Sequence, residues 1–269
     1  CSNIFYNRDL LINMKKTPDK IKYYILLSLV MCLFAFNTGC GLDTFYIIES
    51  PTSNIHQPIY YSIDASDRYF EFWTNESTEM EGFVFLGTEI YYKIFNNSST
   101  MLSEESVLQS LASDTDKSAT AADKMINPTT NGGYGFKALK ISGNDTVPLI
   151  QPANANQRVY IRLSDYQSVE EFSARVLVYG NYLIDSTVKT VPVRNVADRN
   201  TFNFGRNGTK DKKPLKDDED TNLSASTTDS KYYVSMFAVG VGRDATYANI
   251  YSNILYLGSV TIDAASFDN

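Results

Sequence analysis

The sequence predicts an all-β sandwich, and three observations predict it. Beyond residue 40 the chain is dominated by short runs of aromatic and β-branched residues. Clusters of Asn, Asp, Gly, Pro and Ser separate these runs, which is the spacing of strands and turns. Two long apolar runs, 231–240 and 253–262, stand near the end with a polar stretch between them, as an antiparallel return requires.

Taken in order, Arg68 to Thr74 reads as a strand with Phe70, Phe72 and Thr74 on one face and Tyr69 and Glu71 on the other. Phe83 to Phe95 is the strongest strand. It places Ile90, Tyr92 and Ile94 on one face and Tyr91, Lys93 and Phe95 on the other, and aromatic residues on both faces predict a central position. Residues 97–131 break the pattern. Ser103 precedes Glu104 and Glu105, with Val107, Leu108 and Leu111 at helical spacing, so a helix capped by Ser103 is expected, with a second from Asp116 to Ile126 before Pro128. This insertion is either a spacer or the place where the sandwich carries its particular function.

Strands are expected again at 136–141, 159–163, 174–182, 187–194 and 201–204. Residues 205–230 carry two charge runs, Lys210 to Lys213 and Asp217 to Asp220, with almost nothing apolar to bury. Such a segment does not offset its own ordering entropy, so a mobile, solvated acidic loop is expected there. The closing pair has Lys231 to Gly240, a polar loop over 242–252, then Asn253 to Ile262.

That pair resembles the last two strands of a fibronectin type III domain, with Tyr232, Val234 and Ala238 in the places of its Tyr-x-Val-x-x-x-Ala pattern. Leu86 to Lys93 is similar to the central strand of that family, and Arg68 to Thr74 to the strand before it. The resemblance implies an elaborated immunoglobulin or fibronectin type III-like sandwich with a short helical insertion.

The N-terminal part carries an address. Met14-Lys15-Lys16 leads through the uncharged run Tyr23 to Phe36 into Asn37-Thr38-Gly39-Cys40. A positive start, an apolar run and small residues before a cysteine form an export signal that ends at a lipid-attachment site. The apolar run spans 14 residues, short of the roughly 20 that cross a bilayer as helix, so a cleaved signal fits better than a permanent span. Here the chain resembles bacterial lipoprotein precursors, with Thr38, Gly39 and Cys40 on the pattern. Asn37 stands where Leu is usual, a looser box of the kind spirochaetal lipoproteins tolerate. The resemblance implies cleavage between Gly39 and Cys40 and acylation of Cys40, with location in the bacterial cell envelope, at the outer membrane or cell surface. The expected organisation is an over-extended start at 1–13, a signal at 14–39, a tether at 40–57 and the sandwich at 58–264.

Cysteine usage and charge agree with this division. Cys1 and Cys32 fall in the discarded part, which leaves Cys40 alone, with no internal disulfide, thiolate cluster or cysteine nucleophile. Removing residues 1–39 takes five basic and two acidic side chains from the totals of 24 and 31 and leaves a net charge of −10. That balance excludes a nucleic-acid partner, which needs clustered Lys and Arg, and makes acyl chains the membrane attachment.

No catalytic motif stands out. His56 is the only histidine, and no His-Glu-x-x-His, Gly-x-Ser-x-Gly or phosphate loop occurs, so no metal or other cofactor is predicted. Asp217 to Asp220 lacks the alternate spacing and central Gly of a calcium loop. A carboxylate pair of glycosidase type is the enzymatic alternative. Tyr247 and Tyr251, in the polar loop of the closing pair, are the candidate contact residues, because Tyr joins apolar area to a hydroxyl at low entropic cost. The expected role is a lipid-anchored, non-enzymatic interaction or adhesion module with a protein or glycan ligand. Its competitor is a periplasm-facing structural lipoprotein.

Overall fold

The computed structural model describes residues 47–264 apart from 76, 78–80, 116, 145–146, 168, 186, 198–199, 205–212 and 226–229. Of the preceding part it describes only Ile21, Tyr23, Tyr24, Leu27 and Ser28, all helical. The chain divides into two units, Cys1–Phe45 and Tyr46–Asn269, and the second carries the sheets. Gly39 and Cys40 lie outside the described residues.

Among its described residues the second unit is mostly β-sheet, built from open, largely antiparallel sheets with two α-helices, and is not a barrel. One sheet joins β1 (Asn54–His56), β2 (Phe70–Trp73), β6 (Arg158–Arg162), β7 (Arg175–Val178) and β8 (Asn181–Tyr182) in that order. The other centres on three long elements, β3 (Phe83–Phe95), β11 (Lys231–Asp244) and β12 (Asn249–Asp263). On the free side of β3 lie β4 (Lys137–Ala138), antiparallel, and β10 (Thr221–Asn222), parallel. A short pair, β5 (Lys140–Ile141) with β9 (Pro192–Val193), completes the set.

β3 occupies its predicted bounds and explains the layering. Ile90, Tyr92 and Ile94 enter a cluster with Phe70, Phe72, Val159, Ile161 and Val176 of the first sheet. The alternate residues Tyr91 and Phe95 enter a second cluster with Phe237 and Val239, completed by helices α1 (Ser98–Ser113) and α2 (Ser118–Ile126). The second sheet is therefore covered on both faces, which is why its strands read as continuous apolar runs instead of a polar alternation.

In α1, Met101, Glu104, Glu105 and Leu108 are buried, the spacing of a single helix face. The helix does not start at the predicted Ser103. Asn97, in extended backbone, accepts the Thr100 amide at 3.1 Å and caps it well before that position, leaving Ser103 inside.

Other expectations change as well. Residues 201–204 form no strand, although Phe202 and Phe204 are fully buried, and over 187–194 only Pro192–Val193 forms a strand, with Val188 in an isolated bridge to Asp185. The closing strands reach Asp244 and Asn249, so the expected loop over 242–252 shrinks to a tight turn. The expected tether ends early, because Ile48 is buried against Phe83 and Phe85 and Asn54–His56 pairs with β2. Within the expected mobile acidic loop, Thr221–Asn222 pairs with Ile94–Phe95, and Asp218 and Asp220 are buried rather than solvated.

Candidate functional site

The two stretches singled out in the sequence, the helical insertion and the acidic segment, meet at one end of the second sheet. Lys93 of β3 lies between them, 3% exposed, which is uncommon for a lysine. Its Nζ donates to Glu104 Oε2 of α1 at 3.0 Å and to the Tyr134 carbonyl at 2.6 Å. The rings of Phe95, Phe136 and Tyr134 lie within 6 Å of the ammonium. Burial pulls Lys93 below the ordinary lysine range, and attraction to Glu104 offsets part of that. Glu104 also accepts from Asn222 at 2.7 Å, so one carboxylate ties helix, central strand and acidic segment together.

Behind Lys93 the acidic segment is fastened by Arg194. Its guanidinium contacts Asp218 at 2.8 Å and Asp220 at 2.5 Å, all three side chains being within 1% of complete burial. Tyr92 donates to Asp220 at 2.6 Å and accepts the Asn195 amide at 2.6 Å. Burial and the neighbouring Asp220 carboxylate hold the Tyr92 phenol well above its usual value. Glu219 points outward and pairs with Lys137 at 2.8 Å, which lowers its carboxyl. The result is an open cleft of about 510 Å3, lined by Lys93, Tyr134, Lys137, Asp218, Glu219 and Asn222.

At the opposite end, the turn between β11 and β12 and the start of β3 form a cleft of about 680 Å3, lined by Glu81, Phe83, Val84, Arg243, Asp244 and Tyr247. This is where the two predicted contact residues separate. Tyr247 sits in the turn, 82% exposed, at φ 66°. Tyr251 belongs to β12 opposite Val241 and packs against the helix-side cluster, so it is a half-buried sheet residue and not a loop contact.

His56 takes no ligand position. Its ring stacks on Tyr69 at 3.8 Å, Tyr69 stacks on Tyr160 at 4.9 Å, and His56 Nε2 bonds the Asp67 carbonyl. Both faces of Tyr69 are covered in this ladder, so it offers only its edge.

Two buried carboxyls were not anticipated. Burial raises Glu89, against a bond donated by Tyr91 that lowers it, and burial likewise raises Glu105, against the hydroxyls of Ser235, Tyr256 and Ser259. Glu89 lies with Tyr91 on the helix-side face of β3, Glu105 points from α1 onto the closing strands, and neither lines either cleft. Among the described residues no group of three or more His, Cys, Asp or Glu side chains is placed to hold a metal, and no helix is long and apolar enough to cross a membrane.

No protein-family model, curated protein or solved structure matches the chain. The signal for Lys93 was present in the sequence, as a lone cation on the inward face of an apolar strand, with the first of two adjacent glutamates 11 residues on. Arg194 had no such signal, because its partners lie 24 and 26 residues away.

Proposed function

We propose that the chain is a lipid-anchored protein of the bacterial envelope, non-enzymatic, which presents an immunoglobulin-like sandwich as an interaction module. The observation that carries this reading is the run from Met14 to Cys40, whose charge, apolar length and terminal Thr38-Gly39-Cys40 suit export followed by acylation. The cleft between the helical insertion and the acidic segment is the contact site for a protein or glycan. Its floor is a buried ion-pair network, and Lys137 and Glu219 at its mouth offer one charge of each sign.

The sandwich part of the reading is supported by strand adjacency. β3, β11 and β12 lie side by side as the third and the last two strands do in immunoglobulin-type sheets, and β1 beside β2 matches the first two. The first sheet departs from that order in one respect. The strand beside β2 is β6, which precedes β7, whereas the ABED order has the later strand there.

Metabolic labelling with a radioactive fatty acid tests the anchor. Wild type incorporates label and Cys40→Ala does not; equal label in both removes the proposal.

A further inference from the structure

The path of the chain into the fold decides which end of the sandwich an anchor would hold to the bilayer. Thr261 Oγ1 donates to the Tyr60 carbonyl, the Ser259 amide to that of Pro58, and Asn54 Nδ2 to that of Tyr256. Further back along the chain, a Cβ on Gly240 would meet the Glu49 carbonyl at 2.7 Å, and one on Gly242 would meet Ile48 Cδ1 at 3.0 Å. Followed from Tyr60 to Ile48, the segment therefore runs beside the closing strands toward the turn at Asp244 to Asn249. Ile48 ends that path in a small cluster with Phe83 and Phe85.

The same end carries exposed apolar side chains that the fold does not use. Ile47 is 75% exposed, Val84 51% and Tyr247 82%. Trp73 and Tyr179 follow on the first sheet, both adjacent to Arg158 through β2–β6 pairing and the Tyr179 amide bond to the Arg158 carbonyl. Aromatic rings with a polar tip are the side chains that favour the bilayer interface. Acids outnumber bases nearby, with Glu49, Glu71, Glu81 and Asp244 against Arg158 and Arg243, so attraction to an anionic surface is not the driving contribution.

Reach settles the geometry. Seven peptide steps separate Cys40 from Ile47, at most about 25 Å of extended chain. The opposite end of β3, twelve residues beyond Phe83, is about 40 Å away. An acyl group on Cys40 then keeps the hairpin end near the lipid, whereas the Lys93 cleft lies farther along β3 than the tether extends.

We infer that the hairpin end of the sheets rests on the lipid surface, with Ile47, Val84 and Tyr247 in contact with it. The inference rests on the anchored reading of Cys40, and it turns the cleft between Lys137 and Glu219 outward.

Trp73 is the only tryptophan, so Trp73→Phe gives a silent background in the full acylated chain. Into it are placed Tyr247→Trp, Val84→Trp as a second probe of the same end, and Ile63→Trp, whose site is 92% exposed near Lys231 and Asp263 at the far end. Each is reconstituted into phosphatidylcholine vesicles, plain or brominated at the upper acyl carbons, and floated. The expected result is flotation of all three, with emission of the two hairpin-end probes lowered about twofold or more by bromine and the far-end probe unchanged. Flotation with equal quenching at both ends, with quenching only at the far end, or with none overturns the orientation and leaves the anchor standing. Failure to float, with an unacylated N-terminus by mass, overturns the anchor and the orientation with it.

Discussion

Arg194 grips Asp220 at two points, Nε to Oδ2 at 2.9 Å and Nη2 to Oδ1 at 2.5 Å, and neither side chain reaches solvent. The forked geometry suits a guanidinium and a carboxylate, and the second carboxylate of Asp218 uses the remaining face of Nη2. Hydrogen bonds and charge from Asp220 and Asp218 keep Arg194 firmly protonated against its burial. The pair fastens Asp217 to Asp220, a run with no apolar side chain to bury, beside the pairing of Thr221–Asn222 with β3.

Asp220→Asn is expected to destabilise the protein by about 3–5 kcal/mol, the scale for removing one partner of a buried pair. Urea unfolding measures it. Limited proteolysis of the variant should also cut within 213–222 before the rest of the fold opens. Unchanged stability would mean that the segment is held by backbone pairing to β3 alone.

Glu105 gives a pH-dependent prediction. Burial raises its carboxyl above the ordinary glutamate value of 4.5, with Ser235, Tyr256 and Ser259 opposing, and Oε1 has no hydrogen-bond partner. Lys93 and Ser259 flank Ser235 across the sheet, and Glu104 precedes Glu105 on the helix. A raised carboxyl binds its proton more tightly in the folded state, so the folded state is favoured at pH 4.5 and loses stability as pH rises through the folded value. Glu105→Gln does not titrate. Its stability relative to wild type should therefore climb as pH rises from the ordinary glutamate value of 4.5 through the raised folded value, and level off above that. A difference that is flat or falls with pH, read from urea midpoints, would rule out a protonated Glu105.

How much of this was legible follows from where the information sits along the chain. β3 was read to its ends because a run with aromatics on alternate positions has one physical use, a strand covered on both faces. The closing pair was read correctly as a pair but too short, since Gly240 and Gly242 signal a turn by composition. In the fold they mark where Ile48 and Glu49 approach the sheet too closely for a side chain. The buried state of Asp218 and Asp220 was not legible. Local composition makes a charge run look solvated, and the arginine that reverses the conclusion stands in a different segment. Lys93 with Glu104 was half legible, as a cation in an apolar strand that needed an acid.

Gly258 tests the close approach of the entering segment. It has φ 113° beside a bulge at which Leu257 has no partner in β11, and a Cβ there would lie 2.7 Å from the Pro58 carbonyl oxygen and 2.9 Å from Pro58 Cδ. Gly258→Ala should cost about 2 kcal/mol or more, from left-handed backbone and overpacking together. Gly143 has φ 77° and open space around it, so Gly143→Ala reports the backbone cost alone, about 1 kcal/mol. Equal losses in thermal unfolding would show that the contact with Pro58 contributes nothing.

Tyr247 separates stability from surface contact. Asp244 Oδ1 accepts the amides of Thr246 and Ala248, and the Asp244 carbonyl accepts that of Tyr247, so the turn is closed by Asp244 without help from the tyrosine ring. A tyrosine at φ 66° is held where glycine fits more easily, and its ring is almost wholly in solvent. Tyr247→Gly should leave unfolding free energy within about 1 kcal/mol of wild type, on the stabilised side, since relief of left-handed strain outweighs the added chain entropy. A large loss of stability would instead show that the ring packs onto the sheet. With stability held, any weakening of the acylated protein's contact with vesicles is then a property of the ring at the lipid surface, because the turn that presents it is unchanged.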